Sequence, residues 1–252
     1  MIFQAHRGVS TEYPENTMPA YIAAVEQGYK IIEVDVAATL DSIFVLHHDK
    51  TINRTARHKD GSVVADTTEI RNITYEEAAQ YDYGMWFSQE FIGTEIPLLE
   101  DVLKFARQNN VKIKIDNSYR MFTAPQIEML LELLTSYQDV ACLTCLTVEE
   151  LKIAADKLPQ MHFHYDGLVT VENLELISTF LPKDRLTVWL PHKNPKTSWV
   201  TVEFASKQLT DLVKKYADVG IWILATNEQL MEAAELGADI IETNGKVKPV
   251  SL

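Results

Sequence analysis

Eight short apolar runs recur along the chain, each separated from the next by a segment long enough for a helix. They are Ile2–Ala5, Ile31–Val36, Val111–Asp116, Val140–Leu143, His162–Tyr165, Leu186–Leu190, Ile221–Leu224 and Ile240–Glu242. Strands alternating with helices favour a parallel sheet with helices outside it. Eight is the number that closes such a sheet into a (β/α)8, or TIM, barrel, which typically uses ~250 residues as one domain. The 252 residues are read as one barrel domain spanning 1–252. A ninth apolar run, Ile43–His47, follows Asp41-Ser42 too soon for a crossover helix. It is therefore read as a hairpin arm returning toward the barrel mouth.

Helical periodicity marks Leu99–Arg107 through Leu99, Val102, Leu103 and Ala106, and further helices are expected over Glu149–Lys157, Val202–Tyr216 and Glu228–Leu236. Another begins at Asn16 or Thr17, with Pro19 in its first turn, and ends at Gly28. Residues 37–95 hold no full βα unit but carry an aromatic group: Tyr75, Tyr81, Tyr83, Trp86, Phe87 and Phe91. A long insert after a barrel strand reads as a lid or subdomain on the catalytic face.

The formal net charge is −13, which argues against nucleic acid or an anionic membrane as a partner held by the general field. It leaves room for an anionic small molecule, because a metal ion and an arginine reverse the sign locally. Cys142-Leu-Thr-Cys145 has redox-motif spacing but lies in a strand run, where residues three apart face opposite ways, so two ordinary thiols are expected. The first strand starts at Ile2 with no charged start or apolar stretch before it, and no run is long enough to span a bilayer. The expectation is a cytoplasmic protein without stable membrane association.

Polar residues gather at the strand ends. Glu33 and Asp35 are two apart on one strand and share a face, which in a barrel can be the interior near the C-terminal rim. Two like charges held there favour a cation between them, so they are candidate hard-oxygen ligands for one divalent ion, Mg²⁺ or Ca²⁺. The competing readings are a solvated edge or a salt bridge to Arg7. His6 and His48 suit proton transfer near neutral pH. Arg7 can set a planar fork on phosphate oxygens. Asp49 can orient His48 or a metal-bound water, and Glu15 and Asn16 shape their loop as well as any site. Arg54 either binds phosphate or ties the insert down.

The string His6-Arg7-Gly8, Pro14-Glu15-Asn16-Thr17, Glu33-x-Asp35, His48-Asp49 and Arg54-Thr55 resembles the glycerophosphodiester phosphodiesterase family, densely from residue 1 to about 103 and more thinly beyond. The resemblance implies metal-dependent hydrolysis of a glycerophosphodiester to glycerol phosphate and an alcohol. It also implies the insertion after the second strand, with one histidine as base and the other as acid. It places the third metal carboxylate at Asp116 and a phosphate-binding lysine at the position of Ser118, where the family usually has Glu and Lys. Serine removes a cation there. Lys114 shares the strand face of Asp116 and Lys112 and either reaches the phosphate instead or pairs with a buried carboxylate.

Milder departures are Asp41-Ser42, where a glycine usually follows the Asp, Leu224-Ala225-Thr226-Asn227 in a late strand, and Asn244 in place of an Asp. Trp222, on the expected face of Leu224, is the aromatic candidate for the substrate pocket. His162 and His164 share a strand face; with Phe163 and Tyr165 turned to the barrel they would face helices. His192-Lys193 follows a strand end, and Trp189 and Trp199 fit packing as well as substrate contact. Two alternatives stay open here: a related phosphodiester-cleaving phospholipase or lyase, and a phosphate-ligand binding protein that has lost turnover.

Overall fold

A computed structural model describes residues 1–195, 197, 200 and 202–249. In chain order its elements are β1 (Ile2–His6), α1 (Met18–Glu26), β2 (Ile31–Ala38), β3 (Phe44–Leu46), α2 (Tyr75–Ala78), α3 (Leu99–Asn109), β4 (Lys112–Asp116), α4 (Ser118–Met121) and α5 (Ala124–Leu134). They continue with β5 (Ala141–Cys145), α6 (Val148–Lys157), β6 (His162–Tyr165), α7 (Val171–Ser178), β7 (Leu186–Pro191), α8 (Lys207–Val213), β8 (Asp218–Leu224), α9 (Asn227–Leu236) and β9 (Ile240–Thr243). Eight parallel strands run β1-β2-β4-β5-β6-β7-β8-β9 and close through β9 on β1: the (β/α)8 barrel. The ninth, β3, pairs antiparallel to β2 through Val36↔Leu46, as the missing crossover requires. Among the described residues, no helix is long and apolar enough to cross a membrane.

The helix starts follow their capping residues. Thr147 and Glu150 form a reciprocal capping box at α6, and Thr226 accepts from the Gln229 N–H at α9, whose end is set by Gly237 at φ 88°. The helix expected from Val202 begins instead at Lys207, because Ser206 caps it by accepting from the Leu209 N–H. The sequence reading missed α5 and α7. Both carry weaker stripes than α3, whose buried Leu99, Val102, Leu103 and Ala106 are the residues its periodicity picked out.

Strand alternation sorts the core into two. Ile32, Val34, Val36, Ile113, Ile115, Phe163 and Tyr165 point outward into the main helix–sheet core. Ile31, Trp189 and Ile240 pack separately inside the barrel, with Trp222 against them. His162 and His164 therefore face the lumen, and Phe163 and Tyr165 the helices. Register carries the inward face of Lys114 through Cys142 to His162. His164 Nδ1 accepts from Trp189 Nε1 at 2.8 Å, and His162 Nε2 lies 2.8 Å from Thr187 Oγ1; these histidines pack the barrel. Cys142 and Cys145 are buried free thiols, and burial pushes the Cys142 pKa up to about 12.

Residues 39–98 contain β3, α2 and two short 3₁₀ turns around a small core of their own that includes Ile52, Ile70, Tyr83 and Ile96. Its aromatic group chains Trp86, Phe87 and Phe91 onto Tyr13 of the β1–α1 loop. Ser42, where the resemblance expects glycine, takes the left-handed conformation itself at φ 60°.

Trp189 is the plug beneath the barrel mouth, and it fits because its β8 neighbour is Gly220. A Cβ at 220 would meet the indole ring at 2.5 Å. Gly220→Ala is expected to destabilise the fold by roughly 1–3 kcal/mol in urea unfolding, the usual scale for overpacking. A change under half a kcal/mol would show that the plug has room to shift.

Candidate active site

The C-terminal ends of the strands open into a cavity of about 660 Å³. β1 delivers His6, and the chain then turns sharply: Arg7 has φ 59° and Gly8 φ 79°. Glycine is required at 8 because a Cβ would lie 2.7–2.8 Å from Ala20, some of it backbone. The Arg7 N–H donates to Glu33 Oε2 at 2.8 Å, which pins the turn to β2. The Arg7 guanidinium lies between carboxylates, with Glu15 at 2.9 Å and Asp35 at 3.0 Å. Asn16, buried at φ 54°, donates through Nδ2 to Asp35 Oδ2 at 2.8 Å and accepts from the Asp35 N–H at 3.1 Å.

Glu33 and Asp35 share the inward face, as their spacing requires, and both are buried. Burial, then the Asp35 and Glu242 charges, pushes the Glu33 pKa well above the carboxylate range. Asp116, at the end of β4, joins them in the cavity wall. Among the described residues, His6, Glu33 and Glu242 place ligand atoms within 4.8 Å of one another. Such a set, two crowded carboxylates beside an imidazole nitrogen, could hold a divalent cation.

Lys114 does rise from the barrel into this wall. Its Nζ lies 3.6 Å from both Asp116 and Glu242 and 4.5 Å over the Trp189 ring. Burial works to lower its pKa, but the Glu242, Asp116 and Glu33 charges outweigh this and keep the ammonium charged.

The two histidines reach the same cavity from different elements. His6 Nδ1 faces Asn244 Oδ1 at 2.6 Å and Nε2 lies 3.8 Å from Glu242. Burial is the largest influence on His6 and lowers its pKa, against the Glu242 charge. His48 follows β3 and places Nδ1 2.7 Å from Asp49 Oδ1. Asp49 is held far below the usual carboxylate range, first by that hydrogen bond and then, against burial, by Arg54. Arg54, itself outside the cavity lining, ties the insert down: it bonds Asp49 at 2.6 Å and forks onto the lining residue Glu15 at 2.7 and 2.9 Å.

Two expected placements are corrected. Ser118 is buried outside the cavity wall; Asn117 lines it instead. Strand alternation ends at Asp116, because Asn117 turns left-handed at φ 67° and starts α4, so Ser118 no longer shares the inward face. Asn117 Nδ2 donates to Asp35 Oδ1 at 3.1 Å. Trp222 does line the cavity, but not on the face of Leu224, which is buried in the outer core. A bulge sets Ile221 and Leu224 of β8 against Ile241 and Thr243 of β9, three residues of chain against two, and swaps the side. His192 bonds Glu232 at 2.9 Å rather than reaching the mouth, and Trp189 is buried. Trp199 lies outside the described residues.

Glu242, Asp166, Asn117 and Arg120 also line the cavity and were missed. The signal for the first two was position: each is a carboxylate at or just past the C-terminal end of a strand, where barrel sites are built. Burial and the Asp116 charge push the Asp166 pKa up to about 7.

A (β/α)8 barrel with paired histidines, cationic side chains and clustered carboxylates at its mouth has the parts of a phosphodiester-cleaving enzyme. Comparison with known proteins defines the group. Residues 6–225 match the glycerophosphoryl diester phosphodiesterase family, and the chain belongs to it. The Bacillus subtilis (strain 168) protein YqiK is 30% identical over 257 residues, covering 98% of this chain and 96% of YqiK. A glycerophosphodiester phosphodiesterase of Bacillus altitudinis is 36% identical over 127 residues, about half of each chain at 49% and 48%. Among solved structures, a phosphodiesterase of Oleispira antarctica in complex with the product sn-glycerol-3-phosphate superposes with a TM-score of 0.75. It is 21% identical, covering 98% of this chain and 94% of that one. A glycerophosphodiester phosphodiesterase of Thermotoga maritima superposes at 0.68 with 20% identity, covering 98% and 95%.

The Glu15 anchor yields a stability test. Burial works to raise its pKa, but the hydrogen bonds and charges of Arg54 and Arg7 outweigh it and hold it at about 2. A depressed folded-state pKa stabilises above the unfolded value near 4.5, and that stabilisation is lost as pH falls toward 2. Glu15→Gln is expected to cost up to about 3 kcal/mol in urea unfolding at pH 7, with the gap to wild type narrowing below pH 4.5. A gap that does not change with pH would show that Glu15 acts through packing alone.

Proposed function

We propose that the chain hydrolyses glycerophosphodiesters to glycerol phosphate and an alcohol, with one divalent cation, Mg²⁺ or Ca²⁺. The observation that carries the reading is the pair of histidines facing one cavity, each with Nδ1 already engaged by an acceptor, Asn244 for His6 and Asp49 for His48. With Nδ1 so engaged, Nε2 is the ring nitrogen left for proton transfer, with Glu242 3.8 Å from that of His6.

The partners support one division of roles. An amide oxygen accepts only, so His6 donates Nδ1–H to Asn244 and keeps a lone pair on Nε2. His6 is then the base that takes the proton of the attacking glycerol hydroxyl or water. The Asp49 carboxylate stabilises an imidazolium at His48, which suits His48 to protonate the departing alcohol oxygen. A P–O bond forms to the nucleophile as the P–O bond to the alcohol breaks, and water addition accounts for both products.

Glu33, Asp35, Asp116 and Glu242 would hold the cation, which when bound would polarise the phosphoryl oxygens and offset their charge. Arg7 and Lys114 add positive potential from the wall. Trp222, Ile223, Val200 and Val202 supply an apolar side for the carbon skeleton. The residue 37–95 insert serves the site by delivering His48 and by the Asp49–Arg54–Glu15 chain that anchors it.

Glycerol phosphate release from a panel of soluble diesters is expected to stop with chelator and return with Mg²⁺ or Ca²⁺. His6→Ala and His48→Ala should each lower kcat by about 10²–10⁴-fold. With a nitrophenyl leaving group, which departs without a proton, His48→Ala should recover most of its rate and His6→Ala should not. Full activity in His6→Ala, or turnover indifferent to chelator, would contradict the proposal.

A further inference from the structure

The cations that line the cavity differ in how firmly they are held. Arg7 is clamped by Glu15 at 2.9 Å and Asp35 at 3.0 Å, and its side chain is 18% exposed. Lys114 is 4% exposed, set between Asp116 and Glu242 over the Trp189 ring. Arg120 is different. Its guanidinium is 46% exposed at the mouth, and its carboxylate contacts are long, 3.7 Å to Asp116 and 3.4 Å to Asp166. Charge-assisted hydrogen bonds normally close to 2.7–2.9 Å. Arg120 thus stands at the cavity with donors it does not use at full strength.

The backbone explains its position. Asn117 turns left-handed after β4, which takes Ser118 out of the wall and brings Arg120 back to the rim on the short helix α4. The inward face therefore has no cation at position 118, yet the same segment returns one two residues later.

We propose that Arg120 is a substrate-binding residue that grips the anionic phosphoryl oxygens of the ligand. This inference rests on the phosphodiesterase reading for the identity of the ligand, but its chemistry needs only a phosphoryl group. The planar fork exchanges its two long carboxylate contacts for short bonds to phosphoryl oxygens. Arg120 thereby supplies, from α4, the charge that Ser118 lacks.

The test is calorimetric titration of the full chain with sn-glycerol 3-phosphate and with inorganic phosphate, at saturating Mg²⁺, for wild type, Arg120→Met and Arg120→Lys. Mn²⁺ affinity and the urea midpoint are measured on the same proteins. Arg120→Met is expected to weaken both phosphoryl ligands by roughly 10- to 100-fold, the scale of a lost charged hydrogen-bonding pair. Arg120→Lys should fall between, and Mn²⁺ affinity should hold or tighten. Unchanged phosphate affinity would overturn the proposal, and so would a loss matched by an equal loss of Mn²⁺ affinity, since that would make Arg120 a prop for Asp116. Wild type that binds neither ligand would overturn it too. Wild type that binds phosphate but releases no glycerol phosphate from any diester would contradict the functional reading alone.

Discussion

Carboxylates crowd one end of the barrel, and the rest of the site is arranged around their repulsion. Glu33, Asp35, Asp116, Asp166, Glu242 and Glu15 line one cavity, against Arg7, Lys114 and Arg120. Like charges at this range in a buried setting disfavour ionisation, which is the direction in which Glu33 is pushed. The side chains with the least freedom offset the cluster: Lys114 from below, Arg7 from the side, and Asn16 and Asn117 as donors to Asp35. The cavity keeps an excess of negative charge for a bound cation to neutralise. Such a cation would let an anionic diester approach a protein of net charge −13.

The scaffold makes this crowding tolerable. Closure of eight parallel strands removes both sheet edges and directs the polar inward residues of β1, β2, β4 and β9 to one rim. Trp189 packs against its glycine partner at 220 inside the lumen, and Lys114 rests over its ring. The insert adds what the barrel strands do not provide. It carries His48 to the rim and fixes it through Asp49, Arg54 and Glu15, a chain of ion pairs linking the insert to the β1–α1 loop.

Much of this was legible in the residues. The eight strand runs and the hairpin arm follow from spacing, and the inward pairing of Glu33 with Asp35 follows from a period of two. Sequence patterning failed where alternation itself breaks. Asn117 turns the chain out of β4, so Ser118 leaves the wall and Arg120 enters it. The bulge in β8 separates Trp222 from Leu224. The phase of β6 was open too, because His-Phe-His-Tyr is plausible either way round; only register against β5 and β7 decides that the histidines face inward. Glu242 carried only its position at a strand end as a signal, and its place as neighbour to His6 and Lys114 exists only once β9 closes on β1.

The central claim is that the carboxylate cluster is built to hold a divalent ion. The most direct measurement is titration of the metal-stripped full chain with Mn²⁺, read by electron paramagnetic resonance, for wild type and Glu33→Gln. The account predicts a single equivalent bound by wild type and loss of that site in Glu33→Gln with the fold intact. No binding by wild type, or the same affinity in Glu33→Gln, would contradict it.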